Sequence, residues 1–360
     1  MRIPVATYRI QFNPEFGFKA AKDIVNYLED LGITDIYASP IFKARNGSMH
    51  GYDVVDPTRL NPELGSERDF KSLTKALRDR DMGWLQDIVP NHMAYDSQNH
   101  YLMDVLEHGP ASEYGNFFDI EWEQPFYEDV DGRVLAPMLG DFYDRCLERG
   151  EIQLTYGEAG LRVCYYDTCF PVRIESYAQL ITHDLGRLSR TLGRQHPDYI
   201  KLLGILYLVK DIRPEISGQQ LKDQVAFVKF LLWELYKTNT EIRDFIDENI
   251  EAFNGEPGKP ETFDLLDELL RHQHYRLSFW KVGAEELNYR RFFTVNELIC
   301  VRIDDSKVFH EVHSFISDLV AEGTFTGLRV DHIDGLYDPT QYLVALRQKM
   351  GDTYIIIKKS

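Results

Sequence analysis

Hydrophobic positions along the 360-residue chain repeat one phrase of helix, glycine and strand. Residues 20–32 place Ile24, Val25, Leu28 and Leu31 at helical spacing and close on Gly32, and an apolar run follows at 33–40. Residues 66–83 carry Phe70, Leu73, Ala76 and Leu77, then the run 84–90. Residues 306–323 carry Val308, Val312, Phe315, Ile316 and Leu319, then 325–331. Residues 338–351 carry Tyr342, Leu343, Leu346 and Met350, then 354–357. With an opening strand at 5–10, five short strands are joined by amphipathic helices. Short apolar strands with helical crossovers predict a parallel sheet covered on both faces. Right-handed crossovers make it either a doubly wound sheet or a (β/α)8 barrel. No strand is followed by a Gly-rich phosphate loop, which disfavours the nucleotide-binding version. Polar residues instead gather just past strand ends, at 50–53, 87–92 and 329–334. Barrel enzymes place their chemistry there, so the α/β TIM-barrel reading is preferred.

More than 200 residues separate the strands at 84–89 and 325–331, far beyond one crossover. The chain therefore reads as barrel strands one to three over 1–98, an inserted α+β and helical subdomain over 99–300, and barrel strands four and five over 301–360. Within the insert, 99–171 is aromatic and partly β-like, with a strand at 161–166. A helix at 223–236 shows an apolar face through Val225, Val228, Leu231, Leu232 and Leu235, and further helices are expected at 241–254 and 262–279. The aromatic residues from Phe227 to Tyr236 read as core rather than a binding groove.

Composition narrows the function classes. A hydrophobic share of 44% with 27% charged residues excludes disordered, collagenous and coiled-coil chains. Net charge is 40 − 58 = −18, which repels phosphate backbones and argues against nucleic acid. No run approaches the ~18 apolar residues of a membrane span, and the start lacks a signal-like apolar stretch. The expectation is a cytoplasmic protein with no membrane partner. Cysteines at 146, 164, 169 and 300 form no CxxC pair, so free thiols are expected rather than a disulfide frame or a zinc site. The 13% aromatic share is the unusual figure. Rings stack on pyranose faces while carboxylates take hydroxyl groups, so an acidic aromatic surface suits sugars.

The candidate chemistry lies in two strand ends, Asp87-Ile88-Val89-Pro90-Asn91-His92 and Gly327-Leu328-Arg329-Val330-Asp331-His332-Ile333-Asp334-Gly335. Alternation puts Arg329 and Asp331 on one face of their strand, aimed at the barrel mouth. An arginine at that distance keeps the aspartate ionised, as a nucleophile requires. His92 and His332 each offer a hydrogen bond to a hydroxyl group. The competing reading is a buried Arg–Asp pair that only ties strands together, and two polar clusters on adjacent strands weigh against it.

The two segments resemble the first two signatures of the α-amylase family of glycoside hydrolases and transglycosylases, and Ser48-Met49-His50-Gly51-Tyr52-Asp53 resembles its HGYD segment. The opening ATYRIQF, the run YASPI at 37–41 and ELNYRRFF at 286–293 are similar to the maltooligosyl trehalose synthases within it. The resemblance implies a partner, a maltooligosaccharide or other α-1,4-glucan, whose reducing-end linkage is converted to a trehalose end with retention. It implies Asp331 as nucleophile, Arg329 as the group that orients it, and His92, His332, His50, Asp53 and Asp87 around the sugar, with Tyr52 as its platform. Asn288, Tyr289, Arg290, Arg291 and Phe292 would shape the cavity for the reducing-end glucose. No cofactor is implied.

One position departs from the pattern. The family's general-acid glutamate ends the fifth strand, and the matching phrase here is Ile355-Ile356-Ile357-Lys358-Lys359-Ser360. Lys358 stands at the acid position, where an ammonium group is a poor proton donor near neutrality, and it is expected to pair with Asp331. Five strands of eight further suggest an N-terminal portion of a longer enzyme. Three readings stay open: a synthase or a piece of one, a remnant that binds glucan without turnover, and a hydrolase of the same family. The His310/His313 and His272/His274 pairs read as solvated helix faces rather than metal ligands. The acidic residues at 121–123 and 128–131 read as a solvated loop rather than a calcium site.

Overall fold

The computed structural model describes residues 1–123, 132–212 and 215–358. Within it, the four helix–glycine–strand phrases and the opening strand build one sheet. Its strands are Thr7–Ile10 (β1), Asp35–Ala38 (β2), Gly83–Ile88 (β3), Gly327–Val330 (β4) and Tyr354–Ile357 (β5), parallel and in the order β1-β2-β3-β4-β5. Parallel strands paired in chain order with helices between them make an arc of a (β/α)8 barrel, and five strands are present.

Helix boundaries follow side chains that satisfy free backbone N–H groups. Ser66 opens Glu67–Arg78 with a capping box, its hydroxyl accepting from Asp69 N while the Asp69 carboxylate accepts from Ser66 N. Asp305 caps Ser306–Ala321 and Asp338 caps Pro339–Met350. The 20–32 phrase forms two short helices, Phe18–Asp23 and Val25–Asp30, meeting at Ile24.

Alternation sorts each strand between two environments. On β3, Trp84 and Gln86 share one face, where the indole nitrogen donates to Gln86 Oε1 at 3.0 Å. Trp84 packs among Phe12, Phe70 and Phe325 with ring centroids 5.5–6.0 Å apart. The opposite face carries Leu85 and Asp87, beside Arg329 of β4 in direct register with Asp87. Gly327 is paired with Leu85, and a Cβ there would meet the Leu85 side chain at 2.9 Å, so a glycine lets Leu85 fill the interior. Polar residues thus accumulate in one layer near the strand C-termini. At the sheet edge, β5 is more open, with Ile357 46% exposed.

The chain divides into two compact units, one of Met1–His100, Phe117–Asp119 and Arg290–Ser360, the other of Tyr101–Asn116 and Ile120–Tyr289. The second unit holds an antiparallel sheet of Ile152–Gly157, Gly160–Tyr165 and Thr168–Pro171, and helices including Pro197–Lys210, Gly218–Thr238, Thr240–Asn254 and Asp264–Arg271. The helix expected over 262–279 stops at Arg271. Tyr275–Phe279 is a strand paired in parallel with Val134–Leu139, as its aromatic and alternating residues favour once a partner is present. The helical stripe Val225, Val228, Leu232 and Leu235 is buried, whereas Phe227 and Phe230 are exposed, against the expectation of core.

Two further expectations are corrected. Cys164 and Cys169 are not free thiols but form a disulfide, because Cys169 stands directly opposite Cys164 across antiparallel strands, with the Cα atoms 4.0 Å apart. Cys146 and Cys300 are free and buried. His313 is not on a solvated face: it is fully buried, with ring nitrogens 2.8 Å from the Phe309 carbonyl and 2.8 Å from the Tyr342 hydroxyl. No group of three or more potential metal ligands occurs among the described residues, and Glu128, Asp129 and Asp131 lie outside them. No helix among the described residues is long and apolar enough to cross a membrane.

Burial pushes the His313 imidazole down to about 4. The unfolded chain takes up a proton near pH 6.5 that the folded chain refuses, so stability is lost as pH falls from 6.5 towards 4. In urea unfolding across that window, His313→Gln should flatten the pH dependence by up to one bound proton, about 1.4 kcal/mol per pH unit. An unchanged slope contradicts the assignment.

Candidate active site

The site is built where β3 and β4 end. Register places Arg329 directly beside Asp87, and alternation returns Asp331 to the same side. The Arg329 Nη1 atom donates to Asp87 Oδ1 at 2.7 Å and to Asp331 Oδ1 at 2.5 Å. All three side chains are buried, with Asp87 wholly out of solvent. A buried charge needs partners, and two carboxylates around one guanidinium supply them. Burial pulls the Arg329 guanidinium down, yet Asp87 and then Asp331 outweigh it and hold it above its ordinary value. Asp87 is driven above the usual carboxylate range, first by burial and further by the charge of Asp331.

The other Asp87 oxygen is also engaged. Its Oδ2 accepts from the Tyr52 hydroxyl at 2.6 Å and the Tyr37 hydroxyl at 3.0 Å. Arg9, in register with Tyr37, lies over the Tyr37 ring at 5.3 Å and donates to the Tyr52 oxygen at 3.0 Å. Asp87 is therefore a hub that spends both oxygens on the protein. Arg9 and Tyr37 were missed in the sequence; inward alternation on β1 and β2 was the available signal.

The 48–53 loop presents Tyr52. Ser48 Oγ donates to Asp53 Oδ1 at 2.5 Å and Tyr52 N donates to His50 Nδ1 at 3.0 Å. Asp53, expected among the substrate groups, is buried and holds this loop instead; His50 is exposed.

The two histidines follow the strand ends. His332 has φ +48°, a left-handed turn that swings its ring back over Gly335, where a Cβ would meet the imidazole at 2.2 Å. His92 is buried, and its Nε2 has no hydrogen-bond partner among the described residues. Burial first, then the charges of His332, Arg290 and His50, push the His92 imidazole down to about 3, so the ring is neutral near pH 7. The Phe292 ring packs against both, 4.4 Å from His92 and 4.7 Å from His332.

Of the ELNYRRFF residues, Arg290, Phe292 and Phe293 join this cluster, Phe293 with its ring 4.9 Å from His332, and Asn288, Tyr289 and Arg291 do not. Asn288 is buried in the second unit, where its amide donates to Glu121 O and Arg133 O and its oxygen accepts from Leu135 N. That side chain is fully used, which corrects its expected place in a sugar cavity. Tyr289 is likewise buried in that unit, bridged to Ile120. Arg291 folds its own loop, bonded to Asn296 Oδ1 and to Phe293 O.

Known proteins similar to this chain fall in one group. Residues 19–141 match the α-amylase catalytic-domain family. The chain is 32% identical to a putative maltooligosyl trehalose synthase of Mycobacterium tuberculosis, over the whole chain and 35% of that protein. It is 32% identical to the solved DSM5389 glycosyltrehalose synthase, covering 98% of this chain and 37% of that one with a TM-score of 0.68. Over residues 19–141 the chain is thus similar to the α-amylase family. Similarity to the maltooligosyltrehalose synthase of Arthrobacter ramosus is 29% over 99% of this chain and 34% of that one, again with a TM-score of 0.68. The chain thus spans about a third of the length of the relatives it matches.

The position that departs from the family pattern is also placed. Val330 pairs with Ile357, and Lys358 N donates to Val330 O at 3.1 Å, so residue 358 leaves β5 alongside Asp331. The expected Lys358–Asp331 ion pair is not formed. Asp331 already has Arg329, and the Lys358 side chain is exposed, where water solvates an ammonium group at no cost.

Arg329→Met removes the cation and leaves two buried carboxylates facing one another. A loss of about 3–5 kcal/mol in chemical denaturation is expected. A loss below 1 kcal/mol contradicts the hub assignment.

Proposed function

We propose that this chain carries the nucleophile side of an α-glucan transglycosylase site of the maltooligosyl trehalose synthase type. The observation that carries the reading is Asp331 at the end of β4, hydrogen-bonded to the buried Arg329 that also holds Asp87, with His332 next to it in the chain. In the proposed reaction an Asp331 oxygen attacks the anomeric carbon while the C1–O4 bond to the reducing-end glucose breaks. The departing O4 takes up a proton. The released glucose then attacks through its own anomeric hydroxyl, losing a proton, and displaces Asp331. Two inversions retain the α configuration. Tyr52 supplies the platform under the ring. His92 and His332 bind its hydroxyl groups, with the unpartnered His92 Nε2 as one donor. Asp87 acts through Arg329 and Tyr52.

A second reading rests on Lys358. Proton transfer to the leaving oxygen is worth about 10²–10⁴-fold, and an exposed ammonium at the strand end beside Asp331 supplies little of it. The chain then binds maltooligosaccharide and turns it over weakly.

Incubation with maltopentaose, with trehalose-ended product resolved by chromatography, tests both. Lys358→Glu should raise product formation about 10²-fold or more over the wild-type chain. Equal rates would remove residue 358 from the acid position, and predominant glucose and maltose would favour a hydrolase.

A further inference from the structure

Arg290 reaches the strand ends without facing the sugar side of the site. Its Nε donates to Asp119 Oδ2 at 2.8 Å, and its Nη2 lies 2.7 Å from the same carboxylate. Its Nη1 donates to Asn91 Oδ1 at 2.9 Å and to the Gly335 carbonyl. One guanidinium therefore joins the loop after β3, the loop after β4 and Asp119. Asn91 immediately precedes His92, and Gly335 closes the turn that carries His332.

The donor chemistry along this chain fixes more than position. A guanidinium only donates, so the Asn91 atom that meets Arg290 must be the oxygen. The Asn91 amide nitrogen is then turned to the other side, where it lies 3.3 Å from His92 Nδ1. An amide nitrogen also only donates, so Nδ1 must accept and cannot carry hydrogen in the neutral ring. The ring proton is left on Nε2, the buried nitrogen that meets hydrogen-bond geometry with no partner among the described residues. A second constraint comes from the next residue but one, since the Phe292 ring closes over both imidazoles and leaves His92 little room to flip.

We infer that Arg290 is a positioning residue that sets the tautomer of His92 through Asn91, so that Nε2–H faces the sugar as a donor. It acts through Asn91 and the Gly335 carbonyl. The functional half of this inference rests on the glucan-site reading above, whereas the tautomer does not. The relay also gives the Asp119 carboxylate a purpose. It faces Arg290 from the far side, while its other oxygen lies 3.4 Å from Arg302 Nε, so the Arg290 guanidinium is held with its remaining donors on Asn91 and Gly335. A lysine at 290 could still donate to Asn91 but could not span all three acceptors.

The test is long-range ¹H–¹⁵N spectroscopy of the histidine rings in the full chain at neutral pH, with maltopentaose affinity by calorimetry alongside. In the wild type, His92 should show a pyridine-like Nδ1 and a pyrrole-like Nε2. Arg290→Met should mix the two tautomers and weaken maltopentaose binding about 10-fold, while Arg290→Lys should keep the wild-type ring signature. Asn91→Asp reverses the relay, because a carboxylate beside Nδ1 demands a proton there, and His92 should become Nδ1–H. This variant keeps the test open should Arg290→Met fail to fold. A wild-type His92 protonated on Nδ1, or ring spectra unchanged in Arg290→Met, overturns the inference. Absence of maltopentaose binding by the wild type, with the ring signatures as expected, counts against the glucan reading alone.

Discussion

Asp87 and Asp331 share one buried guanidinium, and most of the barrel mouth is arranged around that triplet. Three ionised groups out of water are tolerable only with every partner in place, so Arg329, its two carboxylates and the hydroxyls of Tyr37 and Tyr52 form one network that stands or falls together. The parallel register between β3 and β4 makes the arrangement possible, because it sets Arg329 opposite Asp87 and lets alternation bring Asp331 round to the same side. The sheet is thereby a device for fixing two carboxylates about one cation. Everything nearer the solvent, from the Tyr52 loop to the His332 turn, is oriented against this rigid base.

The division of labour within the network is chemical as well as structural. Asp87 spends both oxygens on protein donors, and so it cannot serve as a nucleophile. Asp331 takes one bond from Arg329 and stands last in line, nearest the strand end. His92 is kept neutral by burial and by neighbouring positive groups, which suits a hydrogen-bond donor rather than an acid. Residue 358 leaves β5 beside Asp331, and its ammonium side chain is exposed to water. The site thus holds a well-supported carboxylate next to an exposed lysine.

The helix–glycine–strand rhythm made the sheet and its strand order legible before any coordinates, because parallel barrel strands are short, apolar and closed by glycine-ended helices. Arg329 and Asp331 were legible for the same reason, as polar residues two apart at the end of an apolar run. Other features depended on contacts that sequence spacing does not encode. Asp119 joins Arg290 across 171 positions, and Asn288 is consumed by backbone groups at 121, 133 and 135. The strand at Tyr275–Phe279 read as helix because its partner lies some 140 residues earlier. The Cys164–Cys169 bond was missed because spacing alone did not show that the two residues face each other across a hairpin. Lys358 was legible as a residue, but its exposure was not.

On the proposed reading, Asp331 is the nucleophile and residue 358 does not supply the proton. α-Maltosyl fluoride separates these two properties, since fluoride departs without a proton and the ester then needs a base to resolve it. Peptide mapping of the chain after exposure to this reagent should find one maltosyl group esterified to Asp331, persisting in the wild type and absent in Asp331→Asn. No adduct, or an adduct that survives in Asp331→Asn, would contradict the account.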